Sequence, residues 1–512
     1  MHEQLLQLPR LLTAHLELSL FALLVGVGIS IPLGVLASRR KWLGHVVLSG
    51  AALVQTVPSL ALLALMVPLL GGLGAPSIGF LPAFLALVLY SMLPVVRNTV
   101  TGLSNIAPEM MEAARGVGMD SWQQLFRVEL PLALPVIVAG VRTACVWTVG
   151  AATLATPVGA DSLGNFIFAG LQTRTFSAVL VGCVGAAALA LCLDGLGRLL
   201  LLGIERRSRS LVALGLGSFT GLYLYAGAAF AIESSGKDAV VVGTKTFTEQ
   251  YILGELLSQR IIQATGVPVQ LMPSLGSSVV FDALVTNSVD VYVDYSGTIW
   301  SMVMKRTEAA RDRGSMLQTM EHYLEQEYGV TLVARLGFEN SYALAMRRER
   351  AEQLSVRSIG DLARVAPTLA VGGDYEFFGR PEWGAIQRTY GLQFARQRSM
   401  DPSLMYQAAA SGAVDVIGAF STDGRIAADD LVVLEDERRA IPPYDAIVLA
   451  GQSVARRHPE VLAALHTLEG AIAPAQMRAM NLEVDLQAKS PADVARQFLR
   501  SPQAALPGSS AP

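Results

Sequence analysis

The sequence predicts two unlike halves: about six α-helical membrane spans, followed by an α/β domain of two lobes. Of its 512 residues 52% are hydrophobic and 16% charged, with a mean hydropathy of +0.44, more apolar than a globular domain of ordinary composition. Nearly all of that apolarity lies before residue 233, while from residue 239 short β-branched runs alternate with helix-like ones. Charge divides at the same place, about +4 over residues 1–237 and about −7 beyond them. Neither half gathers a basic face, which excludes a nucleic-acid binder driven by phosphate neutralisation.

Apolar runs long enough to cross roughly 30 Å of hydrocarbon occupy 16–37, 46–71, 80–101, 132–156, 176–203 and 210–232. The fourth is expected to be interrupted by Pro131, Pro135 and Pro157, and it holds Arg142. Basic residues cluster after the first run (Arg39, Arg40, Lys41), between the third and fourth (Arg97, Arg115, Arg127) and between the fifth and sixth (Arg206, Arg207, Arg209). Basic short loops stay in the cytoplasm, so everything after residue 232 is expected outside the cell, in a multi-pass protein of the bacterial inner membrane. The sixth run also carries the small-residue pattern Ala229-Phe230-Ala231 of a cleavable signal; retained, it is a tether. Ser234–Lys237 then reads as a linker and 506–512 as a disordered tail.

Cys145, Cys183 and Cys192 all fall in apolar runs, and the six histidines share no ligand spacing, so neither a disulfide framework nor a metal site is expected. In the polar half, 239–243, 268–272 and 289–293 read as strands and 249–265 and 277–286 as helices, with a second set running from 369–373 to 447–450. This βαβ pattern predicts parallel sheets flanked by helices, in two lobes with a ligand cleft between them.

Between the third and fourth runs stands Glu112-Ala113-Ala114-Arg115-Gly116-Val117-Gly118, with Leu130-Pro131 beyond. Small residues admit a close partner and the glycines end a helix, giving a helix, a turn and a second short helix; the plain alternative is an amphipathic loop lying on the membrane surface. The string resembles the coupling loop of bacterial ABC-transporter permeases, which docks on a cytoplasmic ATPase. That resemblance makes Glu112, Ala113, Ala114 and Gly118 the ATPase-contact positions. Gln55–Leu63 and Gly150–Leu154 are similar to permeases of the glycine betaine/carnitine/choline group, and the likeness extends over residues 15–205. No Gly-x-x-x-x-Gly-Lys-Ser/Thr occurs, so ATP hydrolysis is expected from a separate ATPase subunit. One set of spans makes half a pathway, so a second copy of the chain is expected as partner.

Lys245-Thr246-Phe247-Thr248-Glu249-Gln250 follows the first strand, where it could line the cleft or simply start a helix. The tract Gly243–Gly254, together with Asp290–Thr298 and Ala419–Arg425, resembles receptors for quaternary ammonium osmoprotectants, a likeness covering 239 to about 500. The resemblance implies a type II, periplasmic-binding-protein-like fold. It places an aromatic cage for the methylated cation at Tyr295, Tyr342, Phe420 and Tyr444, and holds a carboxylate tail with Lys245, Thr298 and Arg380. Such a head has no proton to donate and is held by ring faces. Phe420 replaces a usual tyrosine, while Tyr292, Tyr375 and Tyr406 read as packing or rim. Ser421-Thr422-Asp423 has no nearby histidine, so no catalytic residue is expected. The chain therefore reads as permease (1–205), sixth helix and linker (206–238), outer receptor (239–505) and tail (506–512) of an ATP-driven importer, with no bound cofactor. A ligand-gated channel or transmembrane sensor is the rival reading.

Overall fold

The computed structural model describes residues 2–173, 175–234, 239–306, 313–374, 376–487 and 489–501. The expected linker after Ser234 and the expected tail lie outside these residues, as does Tyr375. There are two compact units, residues 1–168 with 177–237, and residues 169–176 with 238–512.

The first unit is helical: α1 (His2–Arg39), α2 (Lys41–Thr56), α3 (Ser59–Gly72), α4 (Phe80–Ser104), α5 (Pro108–Gly116), α6 (Ser121–Gln124), α7 (Leu130–Ala152), α8 (Gly164–Gln172), α9 (Phe176–Glu205) and α10 (Arg209–Ser234). Five helical runs among the described residues are long and apolar enough to span a membrane. The expected second span, 46–71, is a bent pair of helices and not one straight helix. The paired helices α2 and α3 meet at an angle of 101°. Pro58 is the cause: it denies α3 an N–H and pushes Val57 into extended backbone (φ −72°, ψ 126°), which ends α2. The fourth span is less broken than expected. Pro131 sits in the first turn of α7, where its missing N–H costs nothing, and the α7 helix runs on through Pro135 to Ala152.

Helices α1, α4 and α7 pack tightly through small residues. A Cβ on Gly140 of α7 would lie 2.8 Å from the Pro94 carbonyl of α4, so only glycine permits that approach. Leu16, Leu20, Leu23, Val95, Cys145, Val149 and Leu193 fill the core around this contact. Arg142 is not left alone in α7: its Nη2 lies 2.8 and 3.0 Å from the two carboxylate oxygens of Asp194 in α9.

The second unit has two five-stranded sheets. The first runs β2-β1-β3-β10-β4, from β1 (Val240–Gly243), β2 (Val269–Met272), β3 (Val291–Tyr295), β4 (Thr331–Glu339) and β10 (Asp445–Ala450). The second runs β7-β6-β8-β5-β9, from β5 (Tyr342–Arg347), β6 (Ala370–Gly373), β7 (Arg396–Ser399), β8 (Val416–Phe420) and β9 (Leu431–Val433). The sheets are mixed, not wholly parallel. Only β2-β1-β3 and β7-β6-β8 pair in parallel, because the chain leaves the first lobe from β4, enters the second as β5, and returns as β10 between β3 and β4. Residues 447–450 therefore belong to the first lobe, and the second begins at Tyr342, earlier than the sequence suggested.

Removing Asp194 leaves the Arg142 guanidinium uncompensated between two helices. We expect Asp194→Ala to destabilise the helical unit by about 2–4 kcal/mol, read as a lowered melting temperature in detergent, and the exchange Arg142→Asp with Asp194→Arg to recover most of it.

Candidate functional site

In the helical unit α5 ends at Gly116 as expected. Gly118 adopts φ +81°, its N–H bonds to the Arg115 carbonyl at 2.9 Å, and the Met119 N–H bonds to the Ala114 carbonyl at 3.1 Å. This glycine stop turns the chain into α6, whose first residues are capped by Asp120, which accepts from the Gln123 N–H at 2.8 Å. Glu112, Ala113 and Gly118 are exposed, but Ala114 points inward at 5% exposure and so presents no surface to a partner. Around the exposed three lie Met110, Val117 and a stacked pair, Trp122 and Phe126, with ring centroids 5.6 Å apart. Arg39 at the end of α1 binds the buried Glu129 carboxylate just below the loop (Nη1 to Oε1, 2.9 Å).

In the second unit strand register assembles a cluster of rings. Tyr342 in β5 stands directly across from Phe420 in β8, with centroids 5.1 Å apart. Phe420 stacks on Phe247 at 5.6 Å, Phe247 on Tyr295 at 6.2 Å, and Tyr342 meets Tyr444 edge to face at 5.9 Å. Phe377 leans on Tyr342 at 5.3 Å, in a space that Gly418 leaves open, since a Cβ there would stand 2.7 Å from the Phe377 ring. Gly297 does the same for Tyr444, whose ring atoms lie 2.4 Å from where its Cβ would be. Phe247 and Tyr295 come from the first lobe, Tyr342, Phe377 and Phe420 from the second, and Tyr444 from the residue just before the returning strand β10. All four expected cage positions thus join one cluster. Burial pushes the Tyr295, Tyr342 and Tyr444 phenols well above their ordinary range, so they stay neutral and act as donors.

The expected tail residues fare differently. Lys245 is buried, and its ammonium is bound to the Asp294 carboxylate, which also accepts from the Tyr292 hydroxyl at 2.6 Å. Its charge is thus neutralised inside the first lobe, which corrects the expectation that it stands free for a ligand. Thr298 is buried in the turn after β3. Arg380 is 6% exposed and lies over the Tyr342 ring at 5.1 Å. Its Nη2 donates to Glu376 at 3.0 Å, while Nε and Nη1 are buried without a partner among the described residues. Tyr292 and Tyr406 are packing residues, Tyr406 accepting from the Phe420 N–H at 3.1 Å.

Two buried carboxylates escaped sequence reasoning. The helix Thr248–Thr265, α11, starts where the sequence suggested, with Glu249 in its first turn, but it has Phe247 at its cap and no side-chain cap bond. Glu249 instead accepts from Tyr295 Oη (2.5 Å) and Asn340 Nδ2 (3.0 Å) at one oxygen, and from Thr422 Oγ1 (2.5 Å) and Asn481 Nδ2 (3.2 Å) at the other. These donors come from both lobes and from the crossing between them. Glu382, at the start of the helix Pro381–Tyr390 in the second lobe, accepts from the Tyr444 hydroxyl and from Ser301 Oγ at 2.6 Å. Asp423 and Arg425 pair within a tight turn, as the sequence suggested, and are no catalytic set.

The chain thus joins a helical domain with an exposed two-helix loop to a two-lobed domain with rings at its seam. Residues 238–501 match the substrate binding domain of ABC-type glycine betaine transport systems. The chain belongs to this family. Residues 30–206 match the binding-protein-dependent transport system inner membrane component, so one polypeptide carries the permease and the receptor of an ABC importer. It is 31% identical over 461 residues, 87% of this chain and 81% of the relative, to the ergothioneine transport permease/ergothioneine binding protein EgtU of Helicobacter pylori (strain G27). Its permease half is 41% identical over 180 residues to the glycine betaine/carnitine/choline transport system permease protein OpuCB of Bacillus subtilis (strain 168), covering 35% of this chain and 80% of that one. Its receptor half is 30% identical over 270 residues to the carnitine transport binding protein OpuCC of Listeria monocytogenes, covering 52% and 87%. A solved structure titled glycine betaine/carnitine/choline ABC transporter is 30% identical, covering 51% of this chain and 97% of its own, with a TM-score of 0.45. Membership in the importer family supersedes the channel and sensor readings, and it implies an ATP-hydrolysing partner and a small substrate.

Burial raises the Glu249 carboxyl above its ordinary value near 4.5, against the pull of its four donors. From that ordinary value up to its raised one, the folded receptor holds a proton that the unfolded chain has lost. Stability therefore falls as pH rises through this window and is flat above it. We expect Glu249→Gln, which has no titrating proton, to flatten this part of the melting temperature against pH curve relative to the parent chain.

Proposed function

We propose that this importer takes up small solutes bearing a trimethylammonium head and a carboxylate, of the class to which glycine betaine, carnitine and ergothioneine belong. The observation that carries this reading is Arg380, a buried guanidinium with two nitrogens that have no partner among the described residues, placed against the Tyr342 ring of the aromatic cluster that also holds Tyr295, Phe420 and Tyr444. Rings hold a diffuse cation at about 0.5–2 kcal/mol each, and a planar guanidinium fork matches a carboxylate. Thr298, buried in the turn after β3, is kept in this reading on resemblance alone; Lys245 acts indirectly, by fixing Asp294 beneath Tyr295. The cavity bordered by Phe247, Phe420 and Thr422 measures only about 10 Å³, so a solute enters when the lobes part and is enclosed when they close.

The receptor is read as extracytoplasmic. The basic clusters lie at the C-terminal ends of α1, α4 and α9, and a common cytoplasmic side for these three requires the bent pair α2 and α3 to cross once between them. On that topology α10 leads outward and the α5–α6 loop faces the cytoplasm. There Glu112, Ala113 and Gly118, with the exposed Trp122 and Phe126, form the docking surface for the ATPase. A second copy completes the pathway, a reading supported by the exposed stripe Leu132, Thr143, Trp147 and Gly150 on α7.

Binding to the full chain in lipid nanodiscs should separate these roles. Arg380→Ala is expected to weaken glycine betaine and carnitine at least tenfold while changing choline, which has no carboxylate, less than threefold; equal losses for all three would count against the tail assignment. With the partner ATPase, ligand-stimulated ATP hydrolysis should drop at least tenfold in Glu112→Ala/Gly118→Val with ligand affinity unchanged, and an unaltered rate would dismiss coupling through this loop.

A further inference from the structure

The receptor unit holds a second cavity, apart from the one the solute reading uses. It measures about 300 Å³ and is bordered by Ser301, Arg306, Glu382, Arg388, Arg438 and Arg439, and by neither Arg380 nor any ring of the cage. Arg306 follows β3 in the first lobe, Arg388 lies on the helix Pro381–Tyr390 in the second, and Arg438 and Arg439 belong to the chain returning from β9 to β10. All four arginines are exposed, and none forms an ion pair with a carboxylate among the described residues. Arg306 lies over the Trp300 ring at 4.9 Å, and Arg438 lies over the Tyr390 ring at 5.2 Å while donating to the Thr389 carbonyl at 2.7 Å. The acids next to Arg438 in sequence are engaged elsewhere: Asp436 accepts from Tyr390 Oη at 2.5 Å and from the Ala440 and Ile441 N–H groups, and Glu437 accepts from the Gly360 N–H at 3.1 Å. Like charges around one cavity repel until an anion lies between them, and guanidinium forks match the oxygens of a tetrahedral oxyanion.

One wall has the opposite character. Glu382 is 2% exposed; the Tyr444 hydroxyl and Ser301 Oγ both donate to its Oε1, while Oε2 is buried with no partner among the described residues. A buried carboxylate oxygen without a donor is costly, and a fully deprotonated anion beside it would add like-charge repulsion. Sulfate is such an anion at neutral pH. Hydrogen phosphate differs in the one respect this wall demands, because it keeps a proton: one O–H can donate to Glu382 while the remaining oxygens accept from the arginines.

We propose that this cavity is a binding site for hydrogen phosphate, held by Arg306, Arg388, Arg438 and Arg439 and donating its proton to Glu382 Oε2. The site is separate from the solute site and independent of the solute class. An anion held by arginines of both lobes binds the closed receptor better than the open one, so its occupancy favours closure. The single carboxylate makes the site selective, since an oxyanion without a proton leaves Glu382 unpaired beside a negative charge.

Inorganic phosphate and sulfate, titrated by calorimetry against the full chain in nanodiscs at fixed pH and ionic strength with no solute present, test the site directly. Phosphate is expected to bind at least tenfold more tightly than sulfate. Arg306→Gln and Arg388→Gln, one from each lobe, should each weaken phosphate at least fivefold while leaving the melting temperature in phosphate-free buffer that of the parent chain. In Glu382→Gln the amide oxygen still accepts from Tyr444 and Ser301, and the NH2 donates where Oε2 could only accept, so sulfate should now bind at least as tightly as phosphate. Failure of the parent chain to bind phosphate, equal affinity for the two anions, a phosphate affinity that either arginine variant leaves intact, or a phosphate preference that survives Glu382→Gln would overturn the proposal.

Discussion

The structure depends on the seam where rings from two lobes must lie face to face. Phe247 and Tyr295 belong to one lobe and Tyr342, Phe377 and Phe420 to the other, so neither lobe alone contains the ring cluster. Ring pairs contribute about 0.5–1.5 kcal/mol each beyond their burial, a modest attraction that offsets part of the desolvation of the polar groups enclosed with them. Two carboxylates, Glu249 and Glu382, cross the seam and give closure a direction, since each accepts donors that reach it together only when the lobes meet. On the proposed reading, recognition and closure are one event. A solute that supplies what the seam lacks favours the closed form by its differential affinity for that form.

Fusion gives this event a fixed partner. The receptor follows α10 after a few residues of chain, which replaces bimolecular docking by an intramolecular encounter at millimolar effective concentration. The permease unit in turn needs rigidity, and glycine provides it: the α4–α7 contact at Gly140 brings helix backbones within a distance no side chain would allow. The Arg39–Glu129 bond ties the end of α1 to the base of the exposed loop.

The sequence made the layout legible because its signals are local. Strand 240–243, helix 248–265 and strand 269–272 fall within a residue or two of their periodicity, and a glycine at 118 predicts the turn it makes. Long-range facts were hidden. Nothing local reveals that 445–450 returns to the first sheet, which is why the sheets looked parallel throughout. The cage residues were found through motif likeness, yet Phe247 and Phe377 were missed, because a ring's role depends on strand register and on glycines such as Gly418 opposite it. Lys245 looked like a ligand cation because its partner, Asp294, is 49 residues away; Glu249 does start a helix, but its second role was hidden because its four donors come from four separate segments. The α2–α3 bend was foreshadowed by Pro58, though the hydropathy run passed over it.

The central claim is that ring faces hold a positive charge and do more than fill an apolar pocket. Its most direct measurement compares glycine betaine with 3,3-dimethylbutanoate, in which carbon replaces the quaternary nitrogen and shape is preserved, by calorimetric titration of the full chain in nanodiscs. The account predicts that the uncharged head binds at least thirtyfold more weakly, consistent with several cation–π contacts of about 0.5–2 kcal/mol each. Equal affinity for the two would contradict it.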